Sequence, residues 1–244
     1  ITYRFHAGGK VIELHVRQKM VPQLKTSDPD IHWVMPEGGE VVLNYEANIE
    51  CEVVIPTEAE EWLSTDTRAL GKRSAKLFTT SNITDHSREA EVVVRSVGNP
   101  IMSVKFTVRQ PSDKNLIRYT TTDGNIFEPM SGAFNADIIN NLYLDGVAII
   151  EFNNKLTAIH DKAFYIPYFN NLKSIVLPEG VESIGGAAFY QCSRLEDVTL
   201  PKSLRTIGKS AFAECKLLTD IVIPDGVQTI GDGAFLGCKG LRSV

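Results

Sequence analysis

The chain has 244 residues, 43% of them hydrophobic and 23% charged, with a formal net charge of −5. That balance is globular and excludes wholesale disorder. No apolar run reaches the ~18–20 residues that span a bilayer as a helix, and interspersed acids and bases leave no basic footprint for nucleic acid.

The first residues, ITYRFHAGG, carry no initiator Met, basic n-region or apolar h-region, so the sequence reads as a trimmed fragment. Residues 1–110 alternate as short strands: KVIELHVRQ, EVVLNYEA, ECEVVIP, AKLFTT, EAEVVVRS and IMSVKFTVRQ, separated by Gly, Pro, Asn and Ser. Met102, Val104, Phe106 and Val108 share one face of the last strand, as Ile12, Leu14 and Val16 share one face of the first. This spacing predicts a β-sandwich over 19–110. Both of these strands end in V-R-Q, so residues 1–18 are expected to be the tail hairpin of a preceding sandwich or the first strands of this one. The stretch from GGEVVLNYEA to VKFTVRQ resembles a BACON domain, with Trp62 in its W-L position, Arg88 opening the penultimate strand and Gln110 closing the last. The resemblance implies an immunoglobulin-like module of surface and glycan-processing proteins, acting in carbohydrate binding or as a spacer.

Residues 111–155 are expected to bridge the halves, with YLDGVAIIEFNN as a polar-edged strand shielding the first repeat coil. From Leu156 the chain repeats. Leu172/195/218/241, Pro178/201/224, Ile184/207/230, Gly185/208/231, Phe189/212/235 and Cys192/215/238 recur at intervals of 23. One such unit cannot close its own core, so the pattern predicts a solenoid of stacked coils over 156–244. In each coil L-x-x-I-x-L-P reads as a short strand that turns Leu195, Val198 and Leu200 inward and ends at Pro201. Gly208 is expected to permit a turn, and KSAFAEC to form a single helical turn that buries Ala211, Phe212 and Cys215. The final LRSV starts a further strand, so the array is expected to continue beyond the sequence.

The motif L-x-x-I-x-L-P-x-x-V-x-x-I-G-x-x-A-F-x-x-C resembles the 23-residue leucine-rich repeat of BspA-like bacterial surface proteins, and IRYTTTDGNIFEP resembles the lead-in to such arrays. The resemblance implies a secreted or surface-anchored protein concerned with adhesion and protein binding. The expected fold class is mainly β: an immunoglobulin-like β-sandwich followed by a leucine-rich-repeat solenoid with short strands and single helical turns.

Catalytic chemistry finds no motif. His6, His15, His32, His86 and His160 are scattered, and no H-E-x-x-H, G-x-S-x-G or phosphate-cradling loop occurs. Glu58, Glu60 and Glu61 read as a solvated surface beside a core Trp62, Cys51 as an inert strand thiol, and one cysteine per coil as packing without a disulfide. Trp33 reads as packed at a sheet edge or as a sugar platform. Asn82-Ile83-Thr84 is a glycosylation sequon in form. No catalytic residue, cofactor or metal site is expected.

Recognition is expected on outward strand residues, whose backbone the spine holds in place while their side chains vary. Three ladders qualify: Val176, Thr199 and Val222; Ser174, Asp197 and Asp220; Lys173, Glu196 and Thr219. Asp197 and Asp220, about 5 Å apart if their strands pair directly, favour a cationic partner. Lys202 and Asp225, just past the prolines, are expected off this face. The expected partner is a host or matrix protein at the cell surface; a glycan-binding site on the sandwich and a pure spacer are the alternatives.

Overall fold

The computed structural model describes residues 2–7, 10–15, 22–65, 74–98, 100–144, 146–165 and 170–242. The side chains of residues 1–21, Ile12, Leu14 and Val16 included, and the end of LRSV at Ser243 and Val244 lie outside the described residues. The first strands, β1 (Thr2–Ala7) and β2 (Lys10–His15), pair antiparallel as a two-stranded sheet of their own.

Among the described residues the N-terminal half has nine further strands: β3 (Leu24–Lys25), β4 (Ile31–Trp33), β5 (Gly39–Asn44), β6 (Glu46–Ala47), β7 (Cys51–Val54), β8 (Leu63–Thr65), β9 (Ser74–Thr79), β10 (Arg88–Ser96) and β11 (Ser103–Gln110). They form a four-stranded sheet in the order β4-β11-β10-β7, a three-stranded sheet β5-β9-β8 and a small pair β3-β6. Period-two alternation sends Leu43, Leu63, Ala75 and Leu77 from the three-stranded sheet into the same core as Val92, Val94, Phe106 and Val108 from the four-stranded one. Glu58, Glu60 and Glu61 are exposed while Trp62 is buried.

The three residues quoted for the BACON resemblance converge. The Arg88 guanidinium lies 4.6 Å from the Trp62 ring centroid, and its Nε donates to Gln110 Oε1 at 2.8 Å. Gln110 Nε2 in turn reaches the carbonyls of Met35 and Thr80, tying strand ends of both sheets. Asn82, nominally a sequon, is buried, and its Nδ2 donates to the carbonyls of His86, Gln110 and Pro111. The folded chain therefore offers no free amide there for a glycan.

The bridging segment carries β12 (Leu116–Thr121), β13 (Ile138–Leu144) and β14 (Val147–Phe152). YLDGVAIIEFNN, expected as one strand, is thus the inner part of a β13–β14 hairpin whose turn contains Gly146 at φ +88°. β12 lies between β14 and the strand Leu172–Val176, antiparallel to both. The repeat strands are β15 (Ala158–Ile159), β16 (Leu172–Val176), β17 (Ser183–Ile184), β18 (Asp197–Thr199), β19 (Thr206–Ile207) and β20 (Thr229–Ile230). They make two ladders, β13-β14-β12-β16-β18 and β15-β17-β19-β20, the latter wholly parallel.

Between the ladders run the A-F-x-x-C segments, and these correct two expectations. No α-helix is found among the described residues, and KSAFAEC is not a helical turn. Ala187 and Gln191, and their equivalents Ser210 and Glu214, take φ of 53–62°, with Gly233 and Gly237 in the same places one coil on. A helix cannot pass through such left-handed residues. Alternate N–H groups instead bond the next coil, as Phe189 N does to Ala211 O and Phe212 N to Ala234 O, while those between bond three residues back. Gly208, second, serves close approach and not a turn of unusual φ. A Cβ there would sit 2.6 Å from Gly185 C and 2.7 Å from Gly186 N, and Gly185 and Gly231 meet the preceding coil just as tightly.

Each coil copies the last at strand spacing, so like residues stack on like. Phe164, Phe189, Phe212 and Phe235 form a column with centroid spacings of 4.8, 4.9 and 5.5 Å and interplanar angles of 8°, 3° and 2°. Ala211, Phe212 and Cys215 are fully buried, as are Leu195 and Leu218. The thiols are free; Cys192, Cys215 and Cys238 Sγ donate to the carbonyls of Phe164, Phe189 and Phe212 in the preceding coils. Hydrogen bonding to the neighbouring coil's thiol, together with burial, pushes Cys215 and Cys238 upward and keeps them unreactive at neutral pH. Cys51 is half-buried and raised by burial alone.

Candidate interaction face

The outward side of the longer ladder is where the candidate residues lie. Ser174 pairs with Asp197 and Val176 with Thr199, the expected register between the first two coils. On the other flank β12 extends the same face, because Thr120 pairs with Ser174 and Arg118 with Val176. Nothing in the repeat spacing announces these two residues, since the strand that carries them precedes the repeat and runs antiparallel.

Several candidates are already engaged. Ser174 Oγ lies 2.6 Å from Thr120 Oγ1. Lys173 Nζ and Glu196 Oε2 approach to 3.8 Å, each side chain about half exposed (48%), a geometry of small energetic weight that still neutralises part of the third ladder. Val176, Asp197, Thr199, Thr219, Asp220 and Val222 point to solvent, with Val222 at 81% exposure.

The face ends against the N-terminal half. Arg118 is held by Glu37 at 2.8 Å and Asp113 at 2.7 Å. Beside it the fully buried Glu151 carboxylate accepts from Ser87 Oγ and from Asn140 Nδ2 at 2.5 Å, with Arg109 Nη2 at 3.6 Å. Lys114 Nζ and Asn115 Nδ2 both reach Asp85, at 2.5 and 2.9 Å. These contacts fasten the two halves, and a groove of about 500 Å³ lined by Asp85, His86, Asn154, Lys155 and Glu179 opens beside them. The same Arg109 lies over Trp33, 5.0 Å from its ring centroid, so one face of that half-buried ring is covered.

The other flank departs from expectation. The ladder stops at β18, and among the described residues no backbone hydrogen bond joins residues 197–200 to 221–223. Stacking nonetheless continues elsewhere in the same coils, through Gln228 N to Arg205 O and Gly231 N to Ile207 O. Asp220 lies in a β-bridge of its own, and no pairing with Asp197 is described for it. Along these residues runs a groove of about 700 Å³, lined by Asp197, Thr199, Leu200, Asp220, Val222 and Ile223. Lys202 and Asp225, expected off the face, line this groove too, so changes at that pair cannot serve as a remote comparison.

No helix among the described residues is long and apolar enough to cross a membrane, and no cluster of three or more His, Cys, Asp or Glu could hold a metal among them.

Residues 140–244 match the family described as the BspA type leucine rich repeat region, in six copies. No curated protein matches the chain. Among solved structures, a leucine-rich repeat protein from Bacteroides capillosus shares 34% identity over 39% of this chain and 64% of its own, with a TM-score of 0.30. A leucine rich cell surface protein from Faecalibacterium prausnitzii shares 25% identity over 55% of this chain and 34% of its own, at TM-score 0.35. A GH5 xyloglucanase from Bacteroides ovatus, in complex with a XXXG heptasaccharide, shares 15% identity over 37% of this chain and 19% of its own, at TM-score 0.31. The chain thus spans less than two thirds of each of these structures. The likeness to leucine-rich repeats of BspA type thus lies in the repeat half.

Proposed function

We propose that this chain is a non-catalytic, extracellular binding or adhesion module of a bacterium, recognising a host or matrix protein through the strand face of its solenoid. Its modules on this reading are a hairpin at 1–18, an immunoglobulin-like sandwich at 19–110, a linker and cap at 111–155 and the repeats at 156–244. The observation that carries the reading is the exposure of Val176, Thr199 and Val222 on a backbone pinned by the phenylalanine column behind it. Apolar side chains held outward on a rigid support lose little entropy on binding. A glycan site on the sandwich has weaker support, because Arg88 covers Trp62 and Arg109 covers a face of Trp33.

The test is solid-phase binding of the full chain to immobilised collagen, fibronectin and mucin, before and after Val176→Arg with Val222→Arg. Saturable binding that this double change abolishes supports the strand face. Binding indifferent to it refutes that assignment.

A further inference from the structure

The groove at the joint of the two halves supports an inference that does not depend on the strand face. Its volume of about 500 Å³ falls within the range of small-molecule sites, and neither Trp33 nor Trp62 lines it. The halves build it together: His86 comes from the sandwich, Lys114, Asn115, Asn154 and Lys155 from the bridging segment, and Glu179 from the repeats.

The formal charges of the lining cancel, with Asp85 and Glu179 against Lys114 and Lys155. The Lys114 ammonium donates to the Asp85 carboxylate at 2.5 Å and holds it below the ordinary carboxylate range, with smaller contributions from the His86 and Lys155 charges. A ligand of either sign therefore gains attraction from one pair of groups and meets repulsion from the other. Lys155 is directed by a glycine. A Cβ on Gly180 would fall 2.7 Å from Lys155 Cε and 3.7 Å from its Cγ, so the absent side chain leaves the course along which the lysine stem lies. That stem gives the groove an apolar surface beside a polar head.

Hydrogen-bonding capacity is what the groove offers in excess. Asn115 Nδ2 donates to Asp85 O at 2.9 Å, and Glu179 Oε1 accepts from Lys202 N at 3.1 Å. Each bond fixes a side chain and leaves its second polar atom, Asn115 Oδ1 or Glu179 Oε2, open to a ligand. Among the described residues no hydrogen bond engages the Asn154 side chain or the Lys155 ammonium. Donors and acceptors thus alternate around a space with no net charge. A hydroxyl both donates and accepts, so a ligand bearing one on most of its carbons meets every such group whichever role it needs. A peptide main chain carries one donor and one acceptor per residue and meets far fewer.

We infer that this joint groove binds a neutral saccharide, whose hydroxyls bond Asn115, Asn154, Lys155 and Glu179 while a ring face lies on the Lys155 stem.

The test titrates the full chain by calorimetry with four neutral trisaccharides: cellotriose, mannotriose, galactotriose and chitotriose. Three controls accompany them: the cationic trimer of glucosamine, the anionic trimer of galacturonate and an end-blocked hexaserine peptide. Saturable binding of at least one neutral trisaccharide, with every control at least about fivefold weaker, supports the inference. Lys155→Met, which keeps the stem and removes the donor, should weaken that saccharide by about fivefold or more, and Asn154→Ala by about threefold or more. Both residues are exposed, so an unchanged melting temperature certifies each variant as folded. Absence of saturation by all four trisaccharides up to about 5 mM overturns the inference. Equal binding of a charged trimer overturns it, as does equal binding of hexaserine, since neutrality or the sugar ring then plays no part. An affinity unchanged by either substitution removes the groove as the site.

Discussion

Phe212→Ala tests the central column of the solenoid. The Phe212 ring is fully buried between Phe189 and Phe235, nearly parallel to both. Replacing a buried phenylalanine by alanine costs about 3–5 kcal/mol, and this site lies in the upper part of that range because neither neighbour can collapse into the space without leaving its own partners. Ring-on-ring contact of about 0.5–1.5 kcal/mol per pair is included in that loss. A cost of about 4–5 kcal/mol lowers the melting temperature by roughly 10 °C or more for a chain of this size. Phe235→Ala supplies an internal scale: its ring is only partly buried, so it should cost about half as much. Scanning calorimetry reads the shift, and hydrogen exchange by mass spectrometry assigns it to peptides between residues 156 and 242. A fall of a degree or two, or equal effects of the two changes, would refute the column as the main source of solenoid stability.

Four further outcomes are expected. Gly208→Ala should cost about 1–3 kcal/mol by pressing a methyl into the preceding coil, whereas Gly233→Ala, at a position where Ala187 and Ser210 already adopt φ of 53–55°, should cost about 1 kcal/mol or less in urea denaturation. Asn82→Ala should destabilise by about 1–3 kcal/mol in the same assay, because three carbonyls lose a buried donor. Glu151→Ala should loosen the joint between the halves, seen in small-angle scattering as a broadened size distribution and in calorimetry as two separated transitions; unchanged profiles would show that the joint rests elsewhere. Burial pushes His32 below its usual value near 6.5, only partly opposed by Asp28. The unfolded chain therefore takes up a proton that the folded chain refuses, and stability should fall as pH drops through about 6.5 toward the lowered value, a slope that His32→Gln should flatten.

The sequence makes the core of the repeat half legible, because a 23-residue register forces like residues to stack. Leu195, Ala211, Phe212 and Cys215 are inside as the spacing predicts. The path between them was harder to read. A-F-x-x-C has the spacing of one helical turn, and only Gly233 and Gly237 hinted that the backbone there is left-handed. The hairpin turn was marked by Asp145-Gly146 but hidden inside an apolar run that read as continuous. The break in the ladder after β18 carries no local signal at all, since LEDVTLP and LTDIVIP obey one pattern. Pairing between strands depends on their separation in space, which composition along a single strand does not encode. The flank closed by Arg118 and Glu37 is a contact over 81 residues and equally silent.

The stacking distance also bears on how far such a chain can reach. The column advances by 4.8–4.9 Å for each of its first two steps, and the second of these is bought with 23 residues. The same 23 residues drawn out as an extended segment would cover roughly 75 Å. A protein selected only to lift a neighbour away from a surface would gain roughly five times the distance from unstructured chain and some fifteen times from a fully extended one. What the coils supply in exchange for that poor reach is width: every added coil widens a stiff wall by one more row of side chains.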